Sequence, residues 1–438
     1  MAELNIQELL NLAVKYHNQG DLKQAETIYK NILEKQENPD ALHLLGVIAY
    51  QTGNYEDSVK NISRAIELKQ EAVYYHNLAI TYDALNKEKE SVKNYEKALS
   101  ISNYDNAYLA HYNLGIYYKD KKEFEKSLEH FNKSIELNDF PEAHWNKSLV
   151  LLTLGRFEEG WKEYSYRFKK KNPTDSRVFN KPEYNKQENI KLLIISEQGF
   201  GDNINFIRYL KLIKNNHIIL ECKKELKRLF ENLNINEFTE NAKDTEYDYY
   251  IHLMDLPRIF NSTINDLPEF KLTANNKLVE EFKQNTNKFK IGIAYHGNPR
   301  QDNNKNRSTS LEKFNILKIP GVQLYSLQKD SEEIPGIITF NLNDFAETAA
   351  IIENLDLIIS VDTSVAHLAG SLGKPVWLLL CFNPDWRWLI NREDSIWYPN
   401  MRLFRQRKPG DWNSLFKEVK PLFGSLLYKG ICPPSKPR

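Results

Sequence analysis

Small and large residues in the first 170 positions alternate at a helical period and then repeat as a larger unit. Ala13, Gly46, Ala79, Gly115 and Ser148 stand 33, 33, 36 and 33 residues apart. Twelve residues after each comes another small residue: Ala25, Ser58, Ser91, Ser127 and Gly160. Sixteen after each comes a large one: Tyr29, Ile62, Tyr95, Phe131 and Tyr164. Small residues where two helices approach, with a bulky one filling the gap, specify stacked helix–turn–helix units. The pattern therefore predicts an α-solenoid of about five hairpins over residues 1–170, with a concave groove suited to a peptide segment.

Beyond it the period breaks in "KKKNPTDSRVFNKPEYN", and residues 171–189 read as a linker. From Lys191 short β-rich runs alternate with amphipathic segments: "LLIIS", "HIILEC", "YDYYIHL", then "KIGIAYHG", "VQLYSLQ", "LDLIISVD" and "PVWLLLC". Such alternation predicts parallel sheets covered by helices. The turn-rich stretch "LPRIFNSTINDLPEFKLTANN" divides them into an N-terminal lobe over 190–275 and a C-terminal lobe over 276–425, before a tail at 426–438.

The stretch "SVDTSVAHLAGSLGKP" at 360–375 lies between two apolar runs. Val365, Leu368, Ala369 and Leu372 recur at helical spacing, Thr363 or Ser364 is placed to cap the start, and Gly373 to Pro375 end the helix. This is a βαβ crossover whose helix opens at the carboxyl edge of a parallel sheet. Free N–H groups and the helix dipole favour an anion there, such as a phosphate.

Composition removes several function classes. Lys+Arg and Asp+Glu both number 59, so no global field recruits nucleic acid or a membrane surface. The apolar runs are far shorter than the ~20 residues of a membrane helix and no signal segment opens the chain, so a soluble cytoplasmic protein without a transmembrane segment is expected. Cys222, Cys381 and Cys432 lack metal-like spacing and imply no disulfide framework.

"LLIISEQGFGDNINFIRYL" places Gly199 and Gly201 after a strand, where they would let the backbone leave tightly. It is not a dinucleotide fingerprint, because the third glycine of G-x-G-x-x-G falls on Ile204; Glu221, about 20 residues on, keeps that reading open. "GSLGKP" lacks the spacing and hydroxyl of a phosphate-binding loop for nucleoside triphosphates. Asp202, just past the glycines, is a candidate general base or a helix-capping carboxylate, and Glu197 is the competing base or a loop-orienting group. Arg307, with Arg300 and Lys305 as alternatives, suits a diphosphate. His367 is a phosphate donor or a buried structural histidine, and Gln328, at the end of "LYSLQ", is placed to read a base or ribose edge. Trp386, Trp388 and Trp397 read as packing more than as a sugar platform.

"SEQGFGDNINFIRYL", "YYIHLMDLPRIF", "GIAYHGNPR", "DFAETAAIIENLDLIISVDTSVAHLAGSLGKPVWLLL" and "NPDWRWLINREDSIWYPNMRLFRQ" resemble bacterial tetratricopeptide-repeat glycosyltransferases. Their catalytic half is similar to the heptosyltransferase group of the glycosyltransferase-B fold. The resemblance implies an α plus α/β chain: a repeat solenoid followed by two Rossmann-like lobes, with a nucleotide-sugar donor held mainly by the C-terminal one. It implies that Asp202 is the base and that Asp362, Thr363 and Ser364 are the diphosphate and sugar platform. Arg307, His367, Gln328, His296, Gly297 and Asn298 would complete the donor site. No Asp-x-Asp occurs, so no metal cofactor is required. Phe200 and Asn203 depart from the commoner Leu and Thr, which bears on the acceptor.

Three readings follow. The first is a metal-independent glycosyltransferase whose repeats bind a protein acceptor, such as a flagellin-like surface protein. The second is a lipid or saccharide glycosyltransferase of envelope assembly, and the third a non-catalytic repeat scaffold with a decayed sugar-nucleotide region. Repeat arrays of this kind often pair, so a homodimer is also expected.

Overall fold

The computed structural model describes residues 5–301, 303–329 and 333–429. The chain divides into two compact units, Met1–Lys147 and Ser148–Arg438.

The first unit is a stack of antiparallel helical hairpins: α1 (Ile6–Asn18) with α2 (Leu22–Lys35), α3 (Pro39–Gln51) with α4 (Tyr55–Leu68), α5 (Ala72–Ala84) with α6 (Glu88–Leu99), and α7 (Ala107–Asp120) with α8 (Phe124–Leu137). α9 (Pro141–Thr153) begins in this unit and ends in the second. The starts of the first helices are written locally. Asn5 and Glu8 form a reciprocal capping box, Asp21 accepts from Gln24 N–H, and Asn38 caps α3 ahead of Pro39.

The small-to-large spacing has its expected cause. A Cβ on Gly46 would lie 2.5 Å from Ile62, and one on Gly115 would lie 2.6 Å from the Phe131 ring. Ser127, buried at the twelfth position, donates to the Gly115 carbonyl at 2.7 Å. The core is a chain of small clusters bridging successive hairpins: Ala13, Ala25, Tyr29 and Ile32 reach Ala41 and Ile48, and Ala79 and Tyr95 reach Ala110 and Leu114.

The second unit opens with the end of α9 and α10 (Phe157–Tyr164), which runs into a 3₁₀ turn at Ser165–Phe168. Two parallel sheets follow. One has the order β3-β2-β1-β4, from β1 (Lys191–Ile195), β2 (His217–Glu221), β3 (Glu237–Thr239) and β4 (Tyr249–His252). The other has the order β10-β9-β8-β5-β6-β7, from β5 (Phe289–Ala294), β6 (Val322–Ser326), β7 (Ile337–Ile338), β8 (Leu357–Val361), β9 (Val376–Leu380) and β10 (Met401–Arg405). Every residue of β8 and β9 is buried, as the continuous apolar runs of a sheet covered on both faces require. The helices are α11 (Phe200–Phe206), α12 (Lys224–Phe230), α13 (Leu256–Ile259), α14 (Asn276–Glu281), α15 (Asn304–Arg307), α16 (Phe345–Glu353), α17 (Ser364–Ser371) and α18 (Trp412–Lys429). The second sheet's core joins Ile291, Ile293, Ile359, Trp377, Leu379 and Phe404 to Trp412 and Phe416 of α18.

Three boundaries differ from the pattern-based expectation. α10 belongs to the second unit rather than closing the first, because Phe157, Trp161 and Tyr164 pack against Phe206, Trp386 and Trp397. Within the segment at 171–189, Pro182 to Tyr184 lie along the open edge of β4: Tyr184 N–H donates to the Tyr250 carbonyl at 2.8 Å, and Tyr250 N–H to that of Pro182 at 3.2 Å. An edge strand leaves those backbone groups free, and the segment satisfies them. α18 runs to Lys429, into the expected tail, whose residues 430–438 lie outside the described residues, as does Cys432. Cys222 and Cys381 are free and buried. Among the described residues no helix is long and apolar enough to cross a membrane.

Candidate active site

In parallel sheets, ligands bind outside the carboxyl ends of the strands. After β1 the chain turns at Gln198, whose φ of 59° is left-handed and whose side chain donates to the Tyr164 hydroxyl at 2.8 Å. Gly199 is extended and forms the N-cap of α11. The tight exit therefore rests on Gln198 and not on the two glycines. Gly201 serves close packing instead, since a Cβ there would lie 2.8 Å from His367 Cδ2 and 3.5 Å from Ser364 Cα. Its missing side chain lets α11, after β1, lie against α17, after β8.

Asp202 sits in the first turn of α11. One carboxylate oxygen accepts from Gly199 N–H at 2.8 Å, so the residue does cap its own helix. The other pairs with the Arg387 guanidinium. Burial pushes the Asp202 carboxyl above the ordinary aspartate range, with Arg387 pulling the other way.

Glu197 is not free to act as a base. Arg167, fully buried in the 3₁₀ turn after α10, grips it with Nε at 2.9 Å and Nη2 at 2.6 Å, and grips Asp255 after β4 at 2.8 and 3.1 Å. The guanidinium also stacks over Phe168 at 4.0 Å. Burial opposes the charges of Arg167 and Asp255, but Arg167 holds Asp255 below the ordinary carboxylate range, and the two carboxylates hold Arg167 charged. Of the two alternatives for Glu197, this is the loop-orienting one.

On the larger sheet, Asp362 directly follows β8; it is buried and pushed up to about 6 by that burial and by Asp385. Thr363 is the N-cap of α17, yet its hydroxyl makes no cap bond and instead meets the Ser360 hydroxyl at 3.1 Å. The first turn of α17, with Ser364 at its head, thus carries no side-chain cap. His367, one turn in, is buried, stacked on Trp388 at 5.1 Å and paired through Nδ1 with the Tyr398 hydroxyl at 2.9 Å. Burial, with Arg387, Arg208 and Arg307 around it, drives its pKa far below the ordinary histidine value. The ring is neutral.

Arg307, at the end of α15, donates to the Asp362 carbonyl at 3.0 Å and lies directly over Gly297, where any Cβ would strike the guanidinium. Gly297 N–H donates to Ser308 at 3.2 Å. Gln328 faces inward: its Oε1 accepts from Tyr295 N–H at 2.9 Å and His296 N–H at 3.3 Å, and its amide nitrogen meets the His296 ring at 3.1 Å. It braces the loop after β5 instead of presenting a free amide. Asn298 is exposed and receives Arg300 N–H at 3.0 Å in a local turn. Asp202, Asp362, His367 and Arg307 thus come together, Gly199, Gly201, Gly297, Thr363 and Ser364 shape their backbone, Gln328, His296 and Asn298 lie on the neighbouring loop, and Glu197 is held apart by Arg167.

Pattern reading missed two arginines. Arg387 is 4% exposed, bridges Asp202 and Asp385, and lies over Trp386 at 4.3 Å. Its signal was a charge between tryptophans just beyond an apolar strand. Arg167 carried no local signal. The three tryptophans are buried packing residues, as favoured. Glu221, whose position kept the dinucleotide reading open, is taken by Arg177 at 2.8 Å. Among the described residues no group of three or more His, Cys, Asp or Glu is arranged to hold a metal ion. A separate pocket of about 460 Å³ opens beside β4, lined by Phe168, Asp175, Arg177, Phe179, His252 and Arg258 among others. Among its charged walls, Asp175 pairs with Arg177 at 2.7 Å and Glu183 with Arg258 at 2.5 Å.

The tetratricopeptide repeat family matches residues 10–72, 72–105 and 108–140. The N-terminal hairpins are tetratricopeptide repeats. Protein FlbA of Caulobacter vibrioides is 24% identical over 368 residues, 71% of this chain and 60% of FlbA. MJ0572 of Methanocaldococcus jannaschii is 50% identical over 50 residues, 11% of this chain and 58% of that protein. The chain thus spans less than two thirds of either relative. Among solved structures, Pseudomonas aeruginosa pilF aligns at a TM-score of 0.36 and 18% identity, covering 37% of this chain and 74% of that one.

Proposed function

We propose that this chain is a glycosyltransferase of the glycosyltransferase-B type, moving a sugar from a nucleotide-sugar donor to a protein bound by its tetratricopeptide groove. One observation carries the reading: the start of α11 after β1, bearing Asp202, and the segment from Asp362 into α17 after β8 converge through the contact of Gly201 with His367. The helix that carries the Asp202 carboxylate from one sheet then packs against the uncapped start of α17 from the other, where Arg307 donates to the Asp362 carbonyl. In the reaction the acceptor hydroxyl or amide attacks the anomeric carbon and its proton passes to Asp202. The bond from that carbon to the diphosphate oxygen breaks, and the charge left on the diphosphate is met by Arg307 and the first N–H groups of α17. Asp362 orients the sugar. The charges that hold the diphosphate belong to the chain, so the reaction runs without a metal cofactor in the cytoplasm, and the repeats pair two copies.

A scaffold that no longer turns over is favoured by one feature, the engagement of both Asp202 oxygens within the chain. One experiment separates the readings. The protein is incubated with a panel of nucleotide sugars in chelator, and donor cleavage, transfer to a bound protein and thermal shift are followed. The enzyme reading expects stabilisation approaching ~2.7 kcal/mol at 100 times the dissociation constant, together with cleavage. Stabilisation without turnover supports the scaffold, and loss of stabilisation in chelator overturns metal independence.

A further inference from the structure

Arg387 is more tightly held than a surface loop arginine needs to be. Nη1 pairs with Asp385 at 2.7 Å and Nη2 with Asp202, and the plane lies 4.3 Å from the Trp386 ring centre and 5.3 Å from that of Phe206. Its carbonyl accepts from Trp397 Nε1 at 2.9 Å, which fixes the backbone as well. Asp202 is fixed in turn, with one oxygen on Gly199 N–H and the other on this guanidinium. The pair joins the loop after β9 to the loop after β1, 185 residues apart.

We propose that Arg387 is a positioning residue of the transfer reaction, reaching from the larger sheet to aim the Asp202 carboxylate at the acceptor. The proposal rests on the glycosyltransferase reading. A planar fork held by Asp385 and two aromatic faces fixes direction as well as charge, which an ammonium does not. Charge matters too. Asp202 is surrounded by Arg387 and Asp385 from one loop, by Glu197 from its own, by Tyr164 of α10 and by the neutral His367 of α17. Burial, Asp385 and Glu197 all favour its protonated form, and Arg387 supplies the main opposing pull. Removing it shifts Asp202 further toward its protonated form, which accepts no second proton.

The test compares wild type, Arg387→Gln and Arg387→Lys by pH–rate profile, donor affinity and the ¹³C carboxyl titration of labelled Asp202. Arg387→Gln should lower kcat near neutral pH by about 10²-fold, the size of a small misplacement, and move the acid limb to higher pH while donor affinity holds. Arg387→Lys keeps the charge without the fork, so it should leave the acid limb in place and still lower kcat, which keeps the question open to measurement where the Gln variant does not fold. A pH profile and an Asp202 titration unchanged in folded Arg387→Gln overturn the proposal, as does donor affinity falling in step with kcat. If wild type turns over no donor, the function reading fails instead, and the carboxyl titration still reports whether Arg387 governs Asp202.

Discussion

Gly201 of α11 and His367 of α17 touch so closely that a Cβ on the glycine would sit 2.8 Å from the histidine ring. The ring has little freedom to yield, because it is stacked on Trp388 and tied to Tyr398. Gly201→Ala should therefore force α11 and α17 apart, at a cost of roughly 1–3 kcal/mol for an overpacked site. Thermal melting should show the second unit less stable, and donor cleavage should fall because Asp202 moves with α11. A variant with wild-type melting and activity would mean that this contact does not set the site.

The contrast between this contact and its neighbours shows what sequence pattern carries. Gly46 against Ile62 and Gly115 against Phe131 were legible, because a repeat presents the same pair several times at one spacing. The strand, helix and turn around Asp362 were legible from local periodicity and Gly373, whose φ of 77° is left-handed. Arg387 with Asp202, and Arg167 with Glu197 and Asp255, were not. Partners 185, 30 and 88 residues apart have no periodic signature, and only chain folding brings them together. The role of Glu197 was left open, and Gln328 was expected to read a base or ribose edge although it braces the loop after β5, for the same reason: residue type announces hydrogen-bonding capacity, not whether the protein has already used it.

Arg167 makes the second prediction. A chain beginning near Glu188 would lack it and leave Glu197 and Asp255 buried side by side without a counter-charge, and would strip α10 from Phe206, Trp386 and Trp397. Breaking a buried pair in this way costs about 3–5 kcal/mol. A chain beginning at Pro141 keeps all of these contacts. The shorter protein should be insoluble or melt without a cooperative transition, and the longer one should fold and retain donor binding. Equal folding of both would show that α10 and its arginine are dispensable.

The repeats should lose stability in mild acid. His43 and His76 are buried, and burial lowers each to about 4. His43 also stacks on Tyr74 and meets Asn77 at 2.8 Å. An unfolded histidine titrates near 6.5, so between pH 6.5 and 4 the unfolded chain binds protons that the folded one refuses. Stability is intact above that window and falls as pH drops through it, by up to ~1.4 kcal/mol per pH unit for each group. Urea melts followed by helical circular dichroism at pH 7 and pH 5 measure the slope. His43→Gln keeps a partner for Asn77 without the titration and should remove the share of the slope that His43 contributes, leaving that of His76; an unchanged acid slope would assign the effect elsewhere.

Asp362 predicts the opposite sign. Its folded value of about 6 lies above the ~3.9 of an unfolded aspartate, because burial and Asp385 disfavour its charge more than Arg307 and Arg387 favour it. Between about pH 4 and pH 6 the folded protein keeps a proton that the unfolded chain has released, so stability declines as pH rises through that window and stays lower above it. Asp362→Asn cannot ionise and escapes the decline. The variant should come close to wild type in thermal melting at pH 4 and exceed it at pH 7.5, by on the order of 3 kcal/mol. A carboxylate kept at such a cost signals work for the charge, and if that work is to orient the donor sugar, the stabilised variant should bind donor more weakly by calorimetry. Equal or lower stability at pH 7.5 would mean that the charge is fully compensated in the folded protein. Greater stability with unchanged donor affinity would leave Asp362 a buried charge outside the donor site.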